Sequence, residues 1–198
     1  IKLEYKVSIK LKLIIGFGTL VFILSIFGAY VYNGLNTFDE ISAKKAQRYN
    51  QLVNIEVIRN INTSISLYAM DLIVKRDKSI VSKEYQENIN ALFLKIWNYK
   101  KEFHIDEDTQ EKKKLVHEII ISFKKLEPIV KNTLPKLIKS EASVDEFNIL
   151  DKEIDSAVGM MDHHIKKVID IIKNELEKAT LAEDSYAQDI KQYIIFTI

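Results

Sequence analysis

The chain has 198 residues, and 29 Lys and Arg against 28 Asp and Glu give it a net charge of +1. It contains 5 Gly, 2 Pro and no Cys. The lack of Cys excludes a disulfide framework, a zinc finger and covalently attached c-type haem. Because Gly and Pro are too few to supply the turns of a sheet, the composition predicts an all-α protein.

An apolar stretch, LIIGFGTLVFILSIFGAYVY, occupies Leu13–Tyr32 and carries no charge. As a helix that rises about 1.5 Å per residue, it is about 30 Å long, which matches the hydrocarbon core of a bilayer. The alternative is a cleaved signal peptide, but the apolar core of a signal peptide is usually only about 7–15 residues long. The length therefore favours an uncleaved anchor, which we call transmembrane helix 1.

The charges around this stretch are unevenly distributed. Residues 1–12 contain four Lys and one Glu, a net charge of +3, whereas the rest of the chain has a net charge of −2. A basic flank before a first span predicts a cytoplasmic N-terminus. We therefore expect a protein of the inner (cytoplasmic) membrane whose main part lies outside the cytoplasm. The negative remainder makes nucleic acid a poor partner.

Four amphipathic segments follow the apolar stretch, and each has apolar residues at helical spacing. Helix 1 is expected at 35–76, helix 2 at 79–104, helix 3 at about 108–141 and helix 4 from 143 onwards. The predicted inner faces are Phe38, Ile41, Leu52, Ile55, Ile58, Ile61, Ile65, Tyr68 and Leu72 in helix 1; Val81, Tyr85, Ile89, Leu92, Phe93, Ile96 and Phe103 in helix 2; Leu115, Ile119, Phe123, Leu126, Val130, Leu134 and Leu137 in helix 3; and Phe147, Leu150, Ile154, Val158, Met161, Ile165, Val168, Ile172, Leu176 and Ala179 in helix 4.

Capping residues and prolines mark the ends and the weak point of these helices. Ser143 with Glu146 predicts a capping box at the start of helix 4, and Asp108 with a Glu three residues later predicts a similar start for helix 3. Pro128 and Pro135 fall within helix 3, where each removes a backbone donor. Because the apolar stripe stays in phase across both prolines, a kink is favoured over two separate helices.

The end of helix 4 leads into a second apolar run. Lys191 and Tyr193 precede it, and a basic residue followed by an interfacial aromatic is typical of a membrane entry. Two long helices rooted in a membrane, with a shorter pair between them, predict an antiparallel up-down-up-down four-helix bundle continuous with transmembrane helix 1. Since the chain begins with Ile and ends inside an apolar run, we expect it to be a fragment of a longer protein.

The expected domains follow from these segments. They are a basic cytoplasmic leader at 1–12, transmembrane helix 1 at 13–32, an extracytoplasmic four-helix-bundle domain at 33–191 and the truncated start of transmembrane helix 2 at 192–198.

This architecture resembles the sensor region of a bacterial methyl-accepting chemotaxis receptor. The resemblance extends over the whole chain and includes the local sequences IEVIRNINTSISLYAMDLIV in helix 1 and KSEASVDEFNILDKEIDSAVGMMDHHIKKVIDIIK leading through helix 4. It implies a transmembrane signalling receptor that is a homodimer along helix 1, binds a small ligand and signals by displacing helix 4. The alternatives are the same sensor on a histidine kinase or nucleotide cyclase, and a membrane-anchored helical scaffold without a ligand.

Arg59 is the central candidate for ligand binding, because the chain contains only three Arg against 26 Lys. In the amino-acid receptors that the chain resembles, arginines of helix 1 hold ligand carboxylates, and bidentate pairing explains the use of Arg. The resemblance therefore implies a carboxylate-bearing ligand at Arg59, with Asn62, Thr63 and Ser66 as neighbouring donors. The alternatives are an ordinary ion pair for Arg59 and a solvated flank for its neighbours.

Asp162, His163 and His164 are the residues that most resemble a metal site. Adjacent His side chains diverge by about 100° on a helix, so both do not easily face one ion. A solvated or pH-responsive pair is the default interpretation. Since no Ser/His/Asp set, Gly-rich phosphate loop or carboxylate pair stands out, the sequence predicts no metal, no cofactor and no enzymatic activity.

Overall fold

The computed structural model describes residues 8–76, 83–102 and 109–197, and within these ranges it contains helices and no strand. The predicted all-α class is therefore confirmed. The helices are α1 (Ile9–Lys75), α2 (Lys83–Glu102), α3 (Gln110–Pro128), a π-helical turn (Ile129–Thr133), α4 (Leu134–Lys139) and α5 (Val144–Thr197). The predicted starts of helices 2 and 3, at Ser79 and Asp108, lie outside the described residues, as do Val81 and Phe103.

Contacts divide the chain into two units. The first unit combines the described residues up to Ala46 with those from Lys178 onwards, and the second is Gln47–Glu177. In the first unit α1 and α5 approach closely at Gly34, where an added Cβ would lie 3.3 Å from the Tyr186 hydroxyl oxygen. A glycine at this position lets the two helices come together.

The apolar start of α1 also belongs to the first unit. Among the described residues, α1 is the helix with a window long and apolar enough to cross a membrane, and none of that window is buried inside the protein. Length and composition alone support this statement, and they agree with the expected membrane location.

The hydrophobic core lies in the second unit and contains side chains from all five α-helices. On α1 the buried positions include a repeat with alternating spacings of four and three residues, which is the heptad pattern of coiled coils. This repeat consists of Gln51, Ile55, Ile58, Asn62, Ile65, Ala69 and Leu72. The prediction that Tyr68 lies on this face is wrong, because its side chain is 39% exposed while Ala69 is fully buried.

The two prolines of predicted helix 3, Pro128 and Pro135, flank a π-helical turn that replaces regular α-helix. In an α-helix the ring of Pro135 would clash with the carbonyl four residues earlier. Here Leu134 N–H donates to the carbonyl of Ile129, five residues back, and helix continues on both sides of the turn. The extra residue shifts the buried stripe by one position, so Ile138 is buried while Leu137, the predicted core residue, is only half-buried.

Capping explains where α3 and α5 begin. The predicted capping box is confirmed, since Ser143 N–H donates to Glu146 Oε2 at 2.8 Å and Glu146 N–H donates to Ser143 Oγ at 3.3 Å. The backbone N–H and the hydroxyl of Ser143 both donate to Glu146 Oε2, and these hydrogen bonds hold the pKa of the Glu146 carboxyl below its usual value. The cap of α3 is Thr109, whose hydroxyl accepts from Lys112 N–H at 3.4 Å.

Candidate functional site

Arg59 lies where α1 contacts α5 in the second unit. Its Nε is 3.3 Å from Asp162 Oδ1, and its Nη1 is 3.8 Å from Glu56 Oε2 on the same helix. The Arg59 side chain is 38% exposed, so a dissolved ligand has access to it. The interhelical ion pair that the sequence left as an alternative is thus present, and a role in ligand binding stays a prediction.

Asp162 is shared between two cations. Besides Arg59, it binds Lys166 Nζ through its second oxygen at 2.6 Å. The hydrogen bond from Lys166, together with the hydrogen bond from Arg59 and the charges of both, lowers the pKa of the Asp162 carboxyl below its usual value of 3.8. Asp162 therefore keeps a cationic partner when Arg59 moves away.

Asn62 is the deepest of the predicted ligand-binding residues, with only 2% of its surface exposed. Its Nδ2 donates to the carbonyl of Val158 on α5 at 3.2 Å, whereas its Oδ1 has no hydrogen-bond partner within the described ranges. A buried amide oxygen without a partner is energetically unfavourable and marks a position where a donor would bind. Asn62 is one helical turn from Arg59, so the two groups contact the same stretch of α5.

The other two predicted residues are less clearly placed for binding. Thr63 is exposed, and its hydroxyl donates to the carbonyl of Arg59 at 3.1 Å. Ser66 is half-buried one turn further along α1. The structure thus directs Arg59 and Asn62 towards α5, while Thr63 makes its hydrogen bond within α1.

A second polar cluster, which the sequence interpretation missed, joins α1, α3 and α5. Lys112 is only 2% exposed, and its Nζ lies 2.8 Å from Glu175 Oε2 and 3.4 Å from Gln51 Oε1. Glu175 Oε2 also accepts from Arg48 Nε at 3.1 Å, and Arg48 Nη1 donates to Gln51 Oε1 at 2.9 Å. We call these four residues the polar layer. It favours one register of the three helices, because a slip would separate buried charges from their partners.

The sequence contains a signal for the polar layer. Gln51 lies four residues before Ile55 and so continues the buried four-three repeat of α1 towards its N-terminal end. Lys112 lies four residues before the buried Val116 in α3, and Glu175 three residues after the buried Ile172 in α5. A polar residue in phase with a buried stripe predicts a core position. A search for periodic spacing of apolar residues alone does not detect such a residue.

The adjacent histidines do not form a metal site in the part of the chain that the structure describes, where no group of three or more His, Cys, Asp or Glu is arranged to hold an ion. The two rings are 5.7 Å apart between centroids. His164 borders an open cavity of about 410 Å³, also lined by Glu111, Lys114, Leu115, Glu118 and Lys167. Its buried Nδ1 has no hydrogen-bond partner among the described residues.

Comparisons with models of known protein families, with curated proteins and with solved structures find no match for this chain.

Proposed function

We propose that this chain is the sensor region, with its membrane anchor, of a transmembrane signalling receptor of the chemoreceptor type. The observation that carries this proposal is that α1 is one unbroken helix of 67 residues. Its stretch Leu13–Tyr32 has apolar side chains that almost all face solvent, whereas Gln51–Leu72 packs in a protein core. A bilayer is the medium that covers an uncharged helix of this length on every side.

The contacts of the second unit support an antiparallel up-down-up-down bundle. Along α1 and α5 the contacts run in opposite order, from Arg48 with Glu175 to Asn62 with Val158. The contacts of α2 with α3 and the π turn also run in opposite order. They go from Tyr85 with the Val130 carbonyl to Phe93 with Phe123. Opposite order along neighbouring helices is expected when successive helices are antiparallel.

An exposed stripe on α1 supports a homodimer through this helix. Five side chains on it are apolar and exposed, and with the polar residues between them they form a second four-three repeat. The repeat is Tyr49, Val53, Glu56, Asn60, Thr63, Leu67, Met70 and Val74, and the exposure of its apolar members ranges from 45% at Val53 to 73% at Val74. A second copy of α1 would cover this stripe.

The proposed ligand is a small carboxylate that binds Arg59 in competition with Asp162. When the ligand takes the guanidinium, Asp162 keeps Lys166 as its partner, so the Asp162 carboxylate is not left without a cation. The link between α1 and α5 at this point is then broken. A ligand that binds the state without this link shifts the population towards it, and α5 carries the displacement towards the second span.

The proposal is tested by the thermal stability of the full chain in phosphocholine micelles with a panel of amino acids and dicarboxylates. One or more compounds should raise the melting temperature, since a ligand that binds only the folded state stabilises it in proportion to occupancy. The shift should be lost in Arg59→Ala and kept in the control Lys124→Ala, which alters an exposed Lys of α3. An unchanged shift in Arg59→Ala would refute the assignment of Arg59.

The second candidate is a membrane-anchored helical scaffold without a ligand, and the existing Arg59–Asp162 pair favours it. In a scaffold this pair only links two helices. The same experiment separates the candidates, because a scaffold would show no thermal shift with any compound of the panel.

A further inference from the structure

A polar cleft lies between α2 and the π-helical turn, away from the residues discussed so far. It has a volume of about 180 Å³, and its lining residues are Tyr85, Gln86, Ile89, Asn90, Lys131 and Asn132. Since a water molecule occupies about 30 Å³ in the liquid, the cleft has room for about six waters or for one small organic molecule. We call it the π-turn cleft.

Both sides of the π-turn cleft present carboxamides. Gln86 and Asn90 are four residues apart on α2 and therefore lie on one helix face, one turn above the other. Asn132 belongs to the π turn, next to Lys131. Each carboxamide offers two donors and one oxygen acceptor, so the three together hydrogen-bond to a molecule that has both donors and acceptors.

Lys131 contributes a donor without leaving an unbalanced charge. Its Nζ forms a 2.6 Å ion pair with Glu127 and lies 5.0 Å from the centroid of the Phe93 ring. The nearby carboxylate already neutralises this ammonium, and it would repel a second carboxylate that approached the same group. The electrostatics of the cleft therefore favour an uncharged ligand over an anion.

Two buried side chains close the floor of the cleft. Ile89 and Tyr85 are almost fully buried on α2, and Tyr85 anchors the turn by donating its hydroxyl to the Val130 carbonyl at 3.5 Å. Hydroxyl groups are at once donors and acceptors. A polyhydroxy compound therefore complements the carboxamides and the ammonium that line the cleft.

We propose that the π-turn cleft binds a small uncharged polyhydroxy compound, a monosaccharide or a polyol. The carboxamides of Gln86, Asn90 and Asn132 bind its hydroxyl groups, and Lys131 donates to one of its oxygens. This site is separate from the proposed carboxylate site, because it shares no residue with Arg59 and its neighbours. Occupation of the cleft would also hold α2 against the π turn.

The test is saturation-transfer NMR on the full chain in phosphocholine micelles, which contain no sugar headgroup. The probes are glucose, galactose, mannose, ribose and inositol, with acetate, succinate and aspartate as the anionic series. We expect at least one uncharged probe to bind with a Kd in the millimolar range. Asn90→Ala and Asn132→Ala should each weaken that binding about tenfold, the loss of about 1.4 kcal/mol of hydrogen bonding.

Asn88→Ala is the matched control, because Asn88 is an exposed Asn on α2, two residues from Asn90, and does not line the cleft. It should change the Kd less than twofold, and Arg59→Ala should also leave the Kd unchanged. The proposal is overturned if no uncharged probe binds at 10-fold the expected Kd, if only the anions bind, or if Asn90→Ala binds as tightly as Asn88→Ala. Loss of the carboxylate-induced thermal shift in Arg59→Ala bears only on the receptor proposal.

Discussion

The two apolar segments of α1 differ in what surrounds them. At Leu13–Tyr32 apolar residues point in every direction around the helix, and almost all are exposed. At Gln51–Leu72 the buried apolar residues are concentrated on one side, and the opposite side is more polar. A helix that is apolar all round requires an apolar medium, whereas a helix with one apolar face requires protein against that face. The side-chain pattern of α1 thus changes between its two segments, as the proposed function requires.

The polar side chains of the two segments differ in the same way. In the first segment the hydroxyls of Thr19 and Ser25 donate to carbonyls of their own helix, four residues back, at 2.8 Å each. In the second segment Gln51 and Asn62 bond to α3 and α5, respectively. Hydrogen bonds within one helix suit a lipid environment, where no water satisfies a free hydroxyl, and bonds between helices fix which protein partners meet.

The largest effect is expected in the polar layer, which joins the second segment to α3 and α5 through Gln51. Glu175→Leu removes one carboxylate from two cations, Lys112 and Arg48, and Lys112 is almost fully buried. Breaking a buried ion pair by removing one partner typically costs about 3–5 kcal/mol. We expect a loss of that size in the free energy of unfolding, measured by denaturant titration in micelles. The exposed neighbour Glu177→Leu should change it by less than about 0.5 kcal/mol.

Substitution of one isoleucine in each segment compares how much protein packing stabilises the two segments. Ile65 is fully buried against other helices, so Ile65→Ala should lower the free energy of unfolding by about 2–5 kcal/mol. Ile23 is 58% exposed, so Ile23→Ala removes no protein contact of that kind and should cost less than about 0.5 kcal/mol. Equal losses in the two variants would show that the first segment packs in a protein core as well.

An arginine introduced into each segment should distinguish the two segments in a measurement of membrane insertion. Ile23→Arg places a guanidinium near the middle of Leu13–Tyr32 and should make membrane insertion less favourable by about 2.5–3.5 kcal/mol. Leu67→Arg alters an exposed side chain of the second segment and should leave insertion unchanged. The inserted fraction of each variant, measured by a glycosylation-site reporter, checks this. Insertion of Ile23→Arg at the wild-type level would refute a membrane span at this stretch.

The smallest effect concerns the pH dependence of the link between α1 and α5. Because the pKa of Asp162 is lower in the folded chain than its usual value of 3.8, its contribution to stability is complete above that value. It is lost as the pH falls through the lowered pKa. Since Asp162 is about one-third exposed, the contribution should not exceed about 1 kcal/mol. The difference in unfolding free energy between wild type and Asp162→Asn should therefore shrink as the pH falls below 3.8 and disappear once the pH is below the lowered pKa.

Much of the helical organisation could be predicted from the sequence, because it depends on local chemistry. The scarcity of Gly and Pro indicated an all-α chain, and Ser143 with Glu146 marked the start of α5, where both capping hydrogen bonds form. The uncharged stretch Leu13–Tyr32 indicated a helix long enough to span a membrane. These features involve neighbouring residues or the length of one segment, and neither requires knowledge of a partner helix.

The candidate sites depended on which helices meet, and this was decided only in the tertiary structure. Arg59 could be identified as unusual, but its pairing with Asp162 joins residues 103 positions apart. The phase of Lys112 with the buried stripe of α3 could indicate a core position, but its partners could not be predicted, since Glu175 and Gln51 come to it from two other helices.

The π-turn cleft shows the same limit most clearly. Pro128 and Pro135 predicted a disturbance in the third segment, but a sequence pattern does not specify whether the backbone bends, breaks or takes up one extra residue. The structure has a π turn, and the cleft forms because that turn lies beside Gln86 and Asn90 of α2. Local hydrogen bonds, such as helix caps, depend on residues that are close in sequence and can be predicted from them. A site between helices exists only after distant residues have packed together.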